Sequence, residues 1–159
     1  MSDSDSTSHL DCPVAGTGLQ QVIFVPRDRL LEVANALRSE GYWMCVDLCG
    51  VDYLLHFDRQ LPVEVVPERF EMVVSLLNHT TGTRLRMRVQ VPEDDLAVPS
   101  LIRVWPSVDF PEREMWDFFG IEPQGHPGLD RILMPDNWEG HPLRKDYAVG
   151  DIPVQFKEA

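Results

Sequence analysis

Proline spacing sets the strongest limit on what this chain can fold into. Of its 13 prolines, Pro123, Pro127, Pro135, Pro142 and Pro153 recur about every ten residues after Gly120. Each removes a backbone donor and crowds the preceding turn, which bars this stretch from long helices and from central strands. It nevertheless keeps apolar anchors, Trp138, Leu143, Tyr147, Ile152 and Phe156, spread among its charges. A segment of that kind lies extended along a surface, either that of its own domain or that of another subunit.

Upstream of Gly120 the patterns are those of regular structure. Residues 22–25 form a β-branched and aromatic run ended by Pro26, which suits a strand. Leu30, Val33, Ala34 and Leu37 follow at helical spacing, with Asp28 ahead of them and Gly41 as a stop. Between Tyr42 and Leu55, Met44, Val46 and Leu48 alternate with Cys45, Asp47 and Cys49, again as a strand would. Residues 58–67 carry Pro62 and Pro67 and read as a surface loop. Residues 70–77 and 85–91 flank the turn His79-Thr80-Thr81-Gly82 and predict a hairpin. In its second strand Leu85, Met87, Val89 and Val91 give a dry face, while Arg84, Arg86, Arg88 and Gln90 give a basic one. Residues 99–105 resemble a short helix stopped by Pro106. A better-marked helix follows, with Asp109 as N-cap, Pro111 and Glu112 in its first turn and Gly120 beyond its end. The expected fold class is α+β: a small mixed or antiparallel sheet with a central hairpin, flanking helices and an extended Pro-rich C-terminal docking segment. Residues 1–18, rich in Ser, Asp, Thr and Gly, read as a flexible acidic tail, 19–121 as the α+β domain, and 122–159 as the extended segment.

Charge and length exclude several function classes. The balance of 14 Lys and Arg against 26 Asp and Glu gives a formal charge of −12, which repels a phosphate backbone, so no nucleic-acid partner is expected. No apolar run approaches the roughly 20 residues that cross a bilayer, and residues 1–8 lack the basic and apolar regions of a signal peptide. Cys12, Cys45 and Cys49 cannot all pair within one chain, which fits free thiols in a reducing compartment, by default the cytoplasm.

Candidate chemistry centres on the helix after Pro111. Asp117 falls in its last turn, where the helix dipole disfavours a carboxylate, and three residues after Glu114. It calls for a cation, and Arg113, Arg131 and Arg144 are the candidates. Two Gly-His-Pro turns carry His126 and His141. With Cys45 and Cys49 they could compose a zinc site in principle, but Cys-x3-Cys on an alternating strand sets the thiols roughly 13 Å apart on one side, too far for one metal. Phosphate loops, Cys-x2-Cys pairs, His-Glu-x-x-His and Gly-x-Ser-x-Gly are absent from the sequence.

Three ordered blocks then carry a family resemblance: Glu112-Arg113-Glu114-x-x-Asp117-x-Phe119-Gly120-Ile121, Gly125-His126-Pro127-x-Leu129-x-Arg131-Ile132-Leu133, and residues 138–147 from Trp138 through Gly140-His141-Pro142 to Arg144 and Asp146. Together with Asp47-Leu48-x-x-Val51-Asp52-Tyr53, the 70–91 hairpin and Pro99-Ser100-x-x-x-Val104-Trp105-Pro106, the sequence resembles the C subunit family of respiratory complex I, the NADH-quinone oxidoreductase. Pro123 and Ala148 depart from that family's usual pattern. The resemblance implies an accessory subunit of the hydrophilic arm that binds no cofactor itself, with FMN and Fe–S clusters in partner subunits and NADH and quinone as substrates of the proton-translocating complex. It further implies that the α+β domain lies beside the quinone-site (D) subunit and other hydrophilic-arm subunits, with residues 122–159 packed on a partner. The complex would hold the chain at the cell membrane, peripherally and on the cytoplasmic side. Glu112, Arg113, Glu114, Asp117, Gly120, His126, Arg131, Trp138, His141, Arg144 and Asp146 match the family's motif positions and are assigned to folding and docking. Homologous subunits of ferredoxin-, F420- or hydrogenase-linked membrane complexes, and a free-standing acid–base enzyme using Glu114, Asp117 and His126, are the competing readings.

Overall fold

The computed structural model describes residues 8–16, 20–56 and 58–148. The β5 (Phe70–Leu77) and β6 (Arg84–Val91) hairpin forms the middle of a six-stranded sheet, as its alternation dictates. β4 (Met44–Asp52) pairs antiparallel with β5 and forms one edge. On the other side β3 (Gln20–Phe24) runs parallel to β6, with Val22 opposite Arg86. β2 (Cys12–Ala15) and β1 (Ser8–His9) complete the order β1-β2-β3-β6-β5-β4. A parallel pair requires a crossover, and α1 (Leu30–Ser39) with β4 and β5 supplies it.

One face of the sheet is dry. Phe70, Met72, Val74 and Leu76 of β5 stand opposite Val91, Val89, Met87 and Leu85 of β6, all fully or almost fully buried. Leu30, Val33, Ala34 and Leu37 of α1 pack into the same core, at the helical spacing the sequence shows. Tyr42 N–H bonds Leu37 O and Gly41 N–H bonds Arg38 O, a Schellman ending with Gly41 at φ +100°. α2 (Asp109–Phe119) lies over β4. Gly50 is what allows this, because a Cβ there would come within 2.8 Å of the Phe119 ring. A parallel pair of short strands, β7 (Ala97–Pro99) and β8 (Glu122–Gln124), brackets α2.

The fold class matches the expectation, and several local readings do not. Residues 8–16 belong to the sheet rather than to a tail: few as their apolar residues are, Cys12 is fully buried and Val14 pairs with Ile23. Residues 1–7 and 17–18 of the expected tail lie outside the described residues. The helix expected over 99–105 is β7 plus a single turn at Leu101–Trp105, because Pro99 and Pro106 leave too little chain for more. Asp109 is the first residue of α2 rather than its cap, since a 3₁₀ turn over Pro106–Val108 runs directly into the helix. Cys45 and Cys49 do not share a side. A bulge between Cys45 and Asp47 switches the parity of β4, so Cys45 is buried with Leu48 whereas Cys49 is exposed.

Candidate functional site

Residues 125–148 have little regular structure and fold back over the C-terminal end of α2. The last carbonyls of a helix have no partner within it. Here the segment provides them: His141 Nδ1–H donates to Asp117 O (3.0 Å), Leu143 N–H to Phe118 O (3.2 Å) and Arg144 Nε–H to Phe119 O (2.7 Å). Gly120, in the left-handed conformation at φ +74°, ends the helix and leaves room for this. A Cβ there would fall 2.4 Å from Arg144 Nη2 and 2.6 Å from His141 Nε2.

Asp117 is the centre of the knot. Its side chain has no solvent exposure, and Arg131 is the cation it recruits, at 2.5 Å from Oδ1. Oδ2 accepts the backbone N–H groups of Ile132 (3.2 Å), Leu133 (3.0 Å) and Met134 (3.0 Å). Burial alone would raise this carboxyl, but the N–H groups of Met134 and Leu133, the guanidinium and the Ile132 N–H together hold it below the usual carboxylate range. Arg131 also donates to Gly140 O (3.1 Å) and lies 5.6 Å from the Trp116 ring centroid. Burial pushes His141 down, despite its bond to Asp117, and the nearby Arg144 and Arg131 add to this.

A second tie sits at the end of β4. Asp52, also without side-chain exposure, accepts Arg69 Nη2–H (2.9 Å) and Lys145 N–H (2.8 Å), while Asp146 pairs with Arg69 at 2.8 Å. Arg69, Lys145 N–H and Leu54 N–H overcome burial and lower the Asp52 carboxyl. Arg144 completes the join by lying 5.4 Å from the Phe70 ring centroid.

The other motif residues are dispersed. Glu112 is buried on the opposite flank of α2, accepting Ser100 Oγ–H and Leu101 N–H at 2.6 Å each, and burial raises its carboxyl. Arg113 donates to Asp130 O (3.1 Å), not to Asp117. Glu114 is exposed on the rim of an apolar groove of about 200 Å³ between α2 and β4. His126 accepts Gly128 N–H at Nδ1, and its Nε2 lies 3.2 Å from Asp109 Oδ1 without an aligned hydrogen bond. Trp138 Nε1 is buried with no hydrogen-bond partner among the described residues. Glu114, Asp117 and His126 therefore form no common acid–base site, and among the described residues no cluster of His, Cys, Asp or Glu could hold a metal ion.

Sequence reasoning missed a network on the opposite face of the sheet. Glu71, fully buried, accepts both Arg88 Nε–H (2.6 Å) and Nη2–H (3.0 Å), a hydrogen bond from Gln90 Nε2, and an ion pair from Arg59 (3.3 Å). Arg59 stacks 3.8 Å over the Tyr53 ring. The available signal was Glu71 itself, the lone charge in a strand that is apolar except for Ser75, and on the same face as Arg88.

Fold and site thus define an α+β domain that commits two of its buried carboxylates, Asp117 and Asp52, to fastening its own C-terminal segment. The chain belongs to the family described as "Respiratory-chain NADH dehydrogenase, 30 Kd subunit", whose model matches residues 23–152. It is 45% identical over 139 residues to the C subunit of the NADH-quinone oxidoreductase of Saccharopolyspora erythraea, covering 86% of this chain and 52% of that one. It is 39% identical over 152 residues to NADH-quinone oxidoreductase subunit 5 of Thermus thermophilus, covering 92% and 70%. The chain spans about half the length of the first of these relatives. Among solved structures, a trypsin-resistant fragment of Nqo5 superposes with a TM-score of 0.66 at 35% identity, over 74% of this chain and 89% of the other. The membrane-bound sulfane sulfur reductase, an archaeal respiratory membrane complex, contains a chain of the same fold, with a TM-score of 0.71 at 21% identity over 93% and 88%. Among the described residues no helix is long and apolar enough to cross a membrane.

Proposed function

We propose that this chain is an accessory hydrophilic-arm subunit of a proton-translocating NADH-quinone oxidoreductase, and that it scaffolds the quinone-site (D) subunit. The observation that carries this reading is the Asp117 knot. Buried charge is invested in fixing residues 131–146 on α2, and the fixed segment presents Leu133 and Leu143 half exposed, while α2 adds the exposed Phe110. Apolar side chains held outward on a rigid, hydrogen-bonded support suit a docking surface. Electrons would pass from NADH through FMN and Fe–S clusters in partner subunits to quinone, and this chain would keep the quinone-site subunit in register. It would sit peripherally on the cytoplasmic side of the membrane. Residues 149–159, including the anchors Ile152 and Phe156, lie outside the described residues.

The test is to purify the tagged full chain from solubilised native membranes, identify its companions by mass spectrometry and assay NADH-driven quinone reduction. Recovery with a quinone-site subunit and NADH-binding flavin subunits is the expected result. Recovery with hydrogenase-type subunits, or alone from the soluble fraction, overturns it. Arg144→Ala removes the cap of Phe119 O and should reduce the amount of assembled complex while leaving turnover per assembled complex unchanged; normal assembly with impaired turnover contradicts the scaffold.

A further inference from the structure

The basic face of β6 takes no part in the Asp117 knot, and its three arginines have different fates. Arg88 is consumed by Glu71 and Tyr53. Arg84 and Arg86 are exposed and have no hydrogen bond or ion pair with any described residue. This is unusual in a chain where acids outnumber bases by 26 to 14. The register shows why no acid reaches them: Arg84 stands opposite Leu77 and Arg86 opposite Ser75, and the nearest carboxylate in that row, Asp47 on β4, is two strands away, about 10 Å. The helices do not cover this face, since α1 and α2 both bury into the core on the other side of the sheet. Tyr53 and Arg59 close over its Glu71 end and leave its Arg84 end open. There a concavity of about 270 Å³ is lined by Val22, Ser75, Gln21, Arg84 and Arg86 among others.

We propose that this open end of the sheet is a docking surface for an extended acidic segment of another polypeptide. Two neighbouring guanidinium forks match carboxylates in bidentate geometry, while Ser75, opposite Arg86, offers a hydrogen bond to a peptide backbone beside the aliphatic floor of Val22. The concavity has no aromatic lining on which bases could stack, and a net charge of −12 opposes a phosphate backbone, so a nucleic acid does not fit. A peptide needs only two carboxylates here, and at physiological ionic strength the excess acid elsewhere is screened beyond about 8 Å. The surface lies across the sheet from the contact proposed for the quinone-site subunit, so the two readings stand or fall separately.

The test uses the full chain in its membrane-assembled state, with the photo-cross-linking residue p-benzoylphenylalanine in place of Ser75. The expected adduct, mapped by mass spectrometry, joins this chain to another polypeptide at a segment rich in Asp or Glu. Arg84→Glu with Arg86→Glu should lower adduct yield about tenfold, and Arg84→Lys with Arg86→Lys should lower it less, since the charge is kept and only the bidentate fork is lost. Both arginines are exposed, so an unchanged thermal midpoint serves as the folding control. An adduct to lipid, to nucleic acid or to a segment without carboxylates overturns the proposal, as does a yield indifferent to charge reversal. With both arginines intact, absence of any adduct while the quinone-site subunit still co-purifies overturns this surface alone; absence of both overturns this reading together with the scaffold.

Discussion

Gly120 concentrates two demands in one position, a left-handed backbone and an absent side chain. Gly120→Ala should therefore cost clearly more than Gly82→Ala, which shares a positive φ (+70°) but whose added Cβ meets nothing within 4 Å. The backbone penalty alone is about 1 kcal/mol in each case, and at Gly120 the displaced Arg144 and His141 add to it. Urea unfolding of both variants measures the difference. Glu71 gives the complementary case. Glu71→Gln leaves Arg88 and Arg59 without their carboxylate and should destabilise by about 3–5 kcal/mol, read from the same unfolding curves. The need of Asp117 for a cation was legible in the sequence because a carboxylate in the last turn of a helix opposes the dipole, and Arg131 was among the candidates. Its three backbone donors were not, because N–H groups carry no residue identity.

Between α2 and the segment that follows it, the join is sensitive to pH with a definite sign. His141 is a base pushed down by burial, so the stability it contributes is complete above about pH 6.5 and is lost as pH falls toward its lowered folded value. Asp117 and Asp52, both lowered, hold their contribution above about pH 4 and lose it only at more acid pH. Glu112, raised, acts in the opposite sense: its contribution is full below about pH 4.3 and declines as pH rises through its folded value. Acidification from pH 7 to 5 should thus loosen the segment through His141 first, seen as faster hydrogen exchange at the Ile132, Leu133 and Met134 amides after correction for intrinsic rates. His141→Asn, which can still donate to Asp117 O but cannot charge, should remove that dependence. At this scale the hairpin, α1 and α2 were readable from periodicity and stop residues. The bulge in β4 was not, because one extra residue changes the parity of a strand without leaving a composition signal, and the sides taken by Cys45 and Cys49 depend on it. Residues 8–16 escape a reading by composition because a strand pairing with one already-defined neighbour needs only a few apolar contacts.

For the whole molecule, the sequence specified the class of fold but not the order of its strands. Nothing local in residues 20–24 says that they add beside Arg84–Arg88 in parallel, since that pairing is settled by crossover geometry and not by either strand's own composition. The packing of α2 on β4 is open to a direct check: Gly50→Ala should push Phe119 off the strand and, because Phe119 O is capped by Arg144, release the C-terminal segment as well, raising its susceptibility to limited proteolysis. The parallel junction also has a consequence for biosynthesis. Val22 meets Arg86 only after some sixty further residues have been made, which at about 5–20 residues per second is an interval of several seconds. Throughout it β3 has no neighbour on its inner side, and an unpaired strand edge invites pairing with other chains. The period of greatest risk for this protein is therefore its own translation, before β6 leaves the ribosome, and chaperone demand should fall on its first ninety residues.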